Sequence, residues 1–253
     1  MHWDVKTFSK EKLSHPVLIE GLPGIGNVGK VAVDYLVDQV GAKRYAGFFS
    51  TAMPNTVFVN EHNLVELPAL ELYSHKTKGQ DILFLVGNTQ PVDESSCYTF
   101  CETLLDLLQE MNCKEIITLG GIGLPQLPKE PKVYITGNKK AVIRSFKNGL
   151  PLQNDIYGVV GPIVGVTGLL VGLAEKRKIA AVALLAETLG HPLYLGLRGA
   201  KALLKVLKKR YSFPLTFHSL DQDIKEIESE LQDDMPLQKR LRSLIPKETN
   251  YIG

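Results

Sequence analysis

Residues 15–35, HPVLIEGLPGIGNVGKVAVDY, constrain the fold most: a short apolar run, then four glycines in nine residues, then a helical pattern. Val17, Leu18 and Ile19 read as a buried strand, and Val28, Val31, Ala32, Tyr35 and Leu36 recur at helical spacing. A strand that passes through a glycine turn straight into a helix is the repeating unit of an α/β sheet. The rest of the chain therefore reads as further strands and helices arranged around this one.

The turn fits two phosphate-binding patterns, each in part. Gly24-Ile25-Gly26-Asn27-Val28-Gly29 satisfies G-x-G-x-x-G between a strand and a helix N-terminus, where a dinucleotide fingerprint belongs. The acidic residue that should end the next strand is missing, because residues 45–54 carry no carboxylate. Gly24 to Gly29-Lys30 also matches G-x-x-x-x-G-K, but Val31 stands where a P-loop needs a Ser or Thr hydroxyl for magnesium. The same glycines serve equally well to let a helix pack closely on a sheet without any ligand.

Along the chain, residues 43–49 read as a second strand, and residues 56–59 and 64–68 as a short hairpin or an excursion at the sheet edge. Residues 70–73 alternate, residues 81–87 are a continuous apolar run suited to the middle of a parallel sheet, and residues 95–111 form an amphipathic helix with Phe100, Leu104, Leu107, Leu108 and Met111 on one stripe. Residues 116–119 are a strand that ends in Gly120-Gly121-Ile122-Gly123, so two glycine clusters stand at strand C-termini, the edge where crevices form in open α/β sheets. Residues 133–136 and 140–146 continue the alternation of strand and helix. A strand over residues 180–185 ends in Ala186-Glu187-Thr188, and residues 195–211 read as a basic amphipathic helix. Gly24, Gly26, Asn27, Gly29, Gly120, Gly121, Glu187 and Thr188 form a candidate rim, either ligand-binding or structural, with Lys30 and His191 as nearby polar groups.

Residues 156–174 are free of charge for 19 positions, long enough for a membrane span, yet Pro162 and the early glycines predict a loop followed by a shorter helix from about Val164. A buried helix packed on the sheet is the expectation, with no membrane insertion. Twenty-nine Lys plus Arg against 27 Asp plus Glu give no global field for nucleic acid, and the basic run at residues 201–210 reads as a solvated helix face. Cys97, Cys101 and Cys113 lack zinc spacing, Cys97 and Cys101, four apart on one helix, read as two buried thiols on its apolar stripe, and the scattered histidines suggest no metal site. Neither a cofactor nor a catalytic residue set is expected. The first residues lack a secretory pattern, which predicts a cytoplasmic location.

From Ser219 the composition shifts to alternating charge, with Leu220, Ile224, Ile227 and Leu231, then Leu237, Leu241 and Leu244, at heptad-like spacing. This divides the chain into an α/β domain, residues 1–218, and a charged helical C-terminal extension, residues 219–253.

In their order along residues 15–210, several of these segments resemble the archaeal form of the proteasome assembly chaperone 2 family. They are Gly21-Leu22-Pro23-Gly24-Ile25-Gly26-Asn27-Val28-Gly29, the Gly120-Gly121 turn, Gly161-Pro162-Ile163 with Gly165-Val166-Thr167-Gly168-Leu169-Leu170, and Glu187-Thr188 before Ala200-Lys201-Ala202-Leu203-Leu204. The resemblance implies a single three-layer α/β/α domain with a mostly parallel sheet, related to the nucleoside phosphorylase-like fold. It further implies a homo-oligomer without catalytic activity that acts on proteasome α subunits, or on a paralogous chaperone subunit, sometimes through a C-terminal tail. Here the tail is Tyr251-Ile252-Gly253, with tyrosine third from the end, where tails of several proteasome binders place it second from the end. The alternative is a nucleotide- or nucleoside-binding protein or enzyme that uses the glycine rim.

Overall fold

Apolar runs too short to be helices become the centre of an eight-stranded sheet in the computed structural model, which describes residues 2–91, 93–156, 158, 161–191 and 194–233. The strands are β1 (Asp4–Thr7), β2 (Val17–Gly21), β3 (Lys43–Phe49), β6 (Leu70–His75), β7 (Ile82–Gly87), β8 (Glu115–Leu124), β9 (Val133–Gly137) and β10 (Ala180–Leu189). Their spatial order is β1-β3-β6-β7-β2-β8-β10-β9, while β4 (Phe58–Val59) and β5 (Val65–Glu66) pair separately as a hairpin. Strands β7, β2, β8 and β10 are joined by parallel pairing. The flanking pairs are antiparallel, so β2, β3, β7, β8 and β10 run one way and β1, β6 and β9 the other.

Successive side chains of a strand point to opposite faces, and both faces here are covered, which is why the central strands are apolar at every position. Val17, Ile19, Phe84, Ile117, Leu119, Val182 and Leu184 pack on one side with helices α1 (Val28–Val40), α3 (Lys140–Lys147), α5 (Leu197–Tyr211) and α6 (His218–Asp233). Leu18, Leu83, Leu85, Ile116, Ala181 and Ala183 face α2 (Glu94–Glu110) and α4 (Val166–Ala174) on the other. The expected three-layer α/β/α arrangement is therefore present, with each fully buried Leu or Phe contributing about 1.5–3 kcal/mol.

Two strands outrun the sequence reading. The glycines 120, 121 and 123 lie inside β8, and Glu187 and Thr188 lie inside β10, because these strands pair in parallel over ten residues, Ala180↔Glu115 to Leu189↔Leu124. The neighbouring backbone supplies ladder hydrogen bonds that override the weak strand propensity of glycine. The helix expected from about Val164 is α4, which begins at Val166, and among the described residues no helix is long and apolar enough to cross a membrane. Cys97 and Cys101 are buried and free, as predicted, and Cys113 is buried and free as well.

The start of α2 is fixed by a capping box: the Ser96 N–H donates to Asp93 Oδ1 at 2.9 Å, and the Asp93 N–H donates to Ser96 Oγ at 3.1 Å. Removing the carboxylate orphans a helix N–H, so Asp93→Ala is expected to lower stability by about 1 kcal/mol, read from the urea midpoint. Leu220 and Ile224 of α6 are buried in the same core as α1 and α5. Leu237, Leu241, Leu244 and the predicted tail residues Tyr251, Ile252 and Gly253 lie outside the described residues.

Candidate functional site

The two glycine clusters do come together. After β2 the chain makes a 3-10 turn over Ile25–Asn27, with Gly26 at φ 60° and Asn27 at φ 49°, before α1 begins. Gly26 suits that left-handed position because it has no side chain to clash. A Cβ at Gly29 would lie 2.2 Å from the Leu119 carbonyl oxygen, and one at Gly121 would lie 2.4 Å from the Ile25 carbonyl oxygen. The first turn of α1 therefore rests directly on the β8 backbone.

The space over the turn is filled by the chain itself. Gly196 donates its N–H to the Gly26 carbonyl at 2.7 Å, and the Thr188 side chain sits between these two glycines, 3.0 Å from a Cβ built on Gly26 and 2.6 Å from one built on Gly196. Thr188 is fully buried, and its hydroxyl has no hydrogen-bond partner among the described residues. Asn27 caps α1 with its backbone only, and Gly24 is extended.

The remaining rim groups are spoken for locally. Glu187 points the other way from Thr188, as strand alternation requires: its Oε2 accepts the Lys132 N–H at 2.9 Å and its Oε1 accepts the Tyr134 hydroxyl at 3.2 Å. Lys30 Nζ donates to Asp34 Oδ2 at 2.6 Å, one helical turn along α1. His191 is buried.

Sequence reasoning missed the polar centre beneath the turn. Glu20, fully buried in β2, accepts the Leu22 N–H at 3.1 Å and the Thr167 hydroxyl of α4 at 3.2 Å, both on Oε1. Its Oε2 has no partner among the described residues, and neither has the hydroxyl of buried Thr118, its register partner in β8. Burial pushes the Glu20 carboxyl up to about 8, so it holds a proton at neutral pH. Above it, Gln90 donates to the Pro23 carbonyl and accepts the Val166 N–H at 3.1 Å, tying the turn to the start of α4. The visible signal was a lone carboxylate inside VLIEG, an otherwise apolar strand. Two thiols interact with this centre, Cys97, lowered by its hydrogen bond with Cys101, and Cys101, raised by the same bond; Cys113, beside Glu115 at the start of β8, is pushed up to about 12 by desolvation.

Chemically this is a braced, buried junction of β2, α1, α4 and β8, and the accessible features lie elsewhere. A groove of about 990 Å³ between β9, α5 and α6 is strongly basic, and the β4–β5 hairpin exposes a run of apolar side chains.

Comparison with known proteins agrees with this architecture. The chain matches the model of the PAC2 family over residues 18–235. Its fold superposes on that of Pyrococcus furiosus PbaB, an archaeal proteasome activator, with a TM-score of 0.84 at 30% identity, covering 91% of this chain and 98% of that one. P. furiosus PbaA, an archaeal homolog of proteasome-assembly chaperone, shares the fold with a TM-score of 0.75 at 20% identity, covering 94% of each chain. An uncharacterized protein of Methanocaldococcus jannaschii, MJ1210, is 27% identical over 251 residues, 96% of this chain and 94% of that protein. With the model match spanning most of its length, the chain belongs to the PAC2 family.

Proposed function

We infer that this protein is a non-enzymatic proteasome assembly chaperone or proteasome-associated adaptor, acting in the cytoplasm as a homo-oligomer through protein–protein contacts. The observation that carries this reading is the end-to-end match, at 30% identity, to a protein described as an archaeal proteasome activator. The geometry is in accord: the rim that would hold a nucleotide is occupied by Thr188 and Gly196, and exposed apolar and basic surfaces lie away from it. In this reading the partners are proteasome α subunits or a paralogous chaperone subunit, and Tyr251, Ile252 and Gly253 form a docking tail.

Native mass spectrometry of the full chain with proteasome α subunits tests it. A complex is expected with the full chain, and its loss on deletion of residues 251–253 is expected if the tail docks. A complex that survives the deletion would move docking to the folded surface. Absence of any complex with α subunits, and with a paralogue that itself binds them, would remove the chaperone reading.

A further inference from the structure

The β4–β5 hairpin is built to present apolar side chains rather than to bury them. Asn60 fixes its turn: Asn60 Oδ1 accepts the N–H groups of His62 and Leu64 at 3.0 Å each, and Asn60 Nδ2 donates to Glu66 Oε1 at 2.7 Å. Val59 and Val65 are direct cross-strand partners and so share one face. They are 68% and 69% exposed, with Leu64 and Leu67 beside them at 62% and 74%. A two-stranded hairpin with an uncovered apolar face is marginal in water by itself, and such a patch marks an interaction site. The hairpin is also acidic: residues 56–68 contain Glu61 and Glu66 and not one Lys or Arg.

Its complement lies at the far end of the same molecule. The groove beside β9 has an apolar floor that includes Val133, Val206 and Ile224, and seven Lys or Arg side chains line it against Glu130 and Asp221 alone. The hairpin joins β3 to β6, near one edge of the sheet, whereas β9 is the opposite edge strand. At the usual strand spacing, β6 and β9 are about 24 Å apart, and no residue of the hairpin lines the groove of its own chain. Complementary patches at opposite ends of a protomer give head-to-tail contacts, which close into rings when the rotation allows.

We propose that the hairpin of one protomer seats in the basic groove between β9, α5 and α6 of the next, so that copies assemble by a heterologous contact. Val59 and Val65 meet the apolar floor, while Glu61 at the hairpin turn faces lysines such as Lys205 and Lys209. The inference rests on the homo-oligomeric part of the reading above and is independent of proteasome binding.

Two surface variants test it, both checked for native fold by circular dichroism: Val59→Asp with Val65→Asp in the hairpin, and Lys205→Glu with Lys209→Glu in the groove. Wild type is expected to assemble beyond a dimer by native mass spectrometry, and each variant alone to self-associate roughly tenfold or more weakly. Mixing the two variants is the decisive arm. An intact hairpin from one and an intact groove from the other leave one usable contact, so the mixture is expected to stop at a 1:1 dimer. A wild-type monomer would overturn both this inference and the homo-oligomeric reading. A groove variant that still assembles, as in a hairpin-to-hairpin contact, or a mixture that stays monomeric where wild type assembles, would overturn this inference alone.

Discussion

At pH 9, Glu20→Gln is expected to be more stable than wild type by about 2–4 kcal/mol, and at pH 4 to be less stable by about 1–3 kcal/mol. The reversal follows from where the proton resides. Burial raises the Glu20 carboxyl from 4.5 to about 8, outweighing the hydrogen bonds from Leu22 and Thr167 that act the other way. Between those two values the folded chain holds a proton that the unfolded chain has released, so stability falls as pH rises. The contribution is fully present below 4.5 and is lost through about 8, at about 1.4 kcal/mol per pH unit, or about 5 kcal/mol in all. Glutamine mimics the protonated acid and cannot ionise, which removes that slope. Its extra buried N–H costs something at low pH, since Oε2 of Glu20 has no partner among the described residues. Urea midpoints of both proteins from pH 4 to 9 decide the matter: curves that run parallel across the whole range would show that Glu20 does not carry its proton into neutral pH.

Much of this fold was legible because periodicity and burial agree. The strand predicted over residues 43–49 is β3 itself, the hairpin at residues 56–68 is present, and α1 begins at Val28 where the helical spacing begins. The failures share a physical cause, which is that they depend on neighbours distant in sequence. Gly120 to Gly123 read as a strand end because glycine is a weak strand former, yet β10 holds them in register. Antiparallel edges are set by which strands meet, and nothing in residues 70–73 announces that β6 runs against β7. The glycine turn and the β8 glycines meet, because strand C-termini share an edge, while Glu187 faces away from them. What fills the space over the turn was invisible, since Thr188 and Gly196 reach Gly26 from more than 160 residues away. Similarly, the basic face of residues 201–210 reaches solvent as expected, but nothing local in sequence shows that Lys129 and Lys132 lie across from it and make a groove.

One substitution separates a packing role for the glycine turn from a ligand role, and it carries the other large effect. Gly29→Ala should improve helix propensity by about 1 kcal/mol if propensity alone governed, because glycine is a poor helix residue. The contact says otherwise. A Cβ there would lie 2.2 Å from the Leu119 carbonyl oxygen and 2.8 Å from its carbonyl carbon, and both are backbone atoms of a strand paired on either side with β2 and β10. Neither can swing aside as a side-chain tip would. The strain must instead lift α1 from the sheet, loosening Val28, Ala32, Val33 and Leu36, each at most 1% exposed. A net loss of about 3 kcal/mol is therefore expected, at the upper end for overpacking. Gly172→Ala is the matched control: it lies within α4, and a Cβ there meets nothing within 4 Å. That variant is expected to gain about 0.5–1 kcal/mol. Urea denaturation of the two variants beside wild type gives opposite signs if α1 sits on β8 through a bare glycine; equal and favourable shifts would mean that the approach of α1 to β8 does not require it, and the turn would need another reason for its glycines.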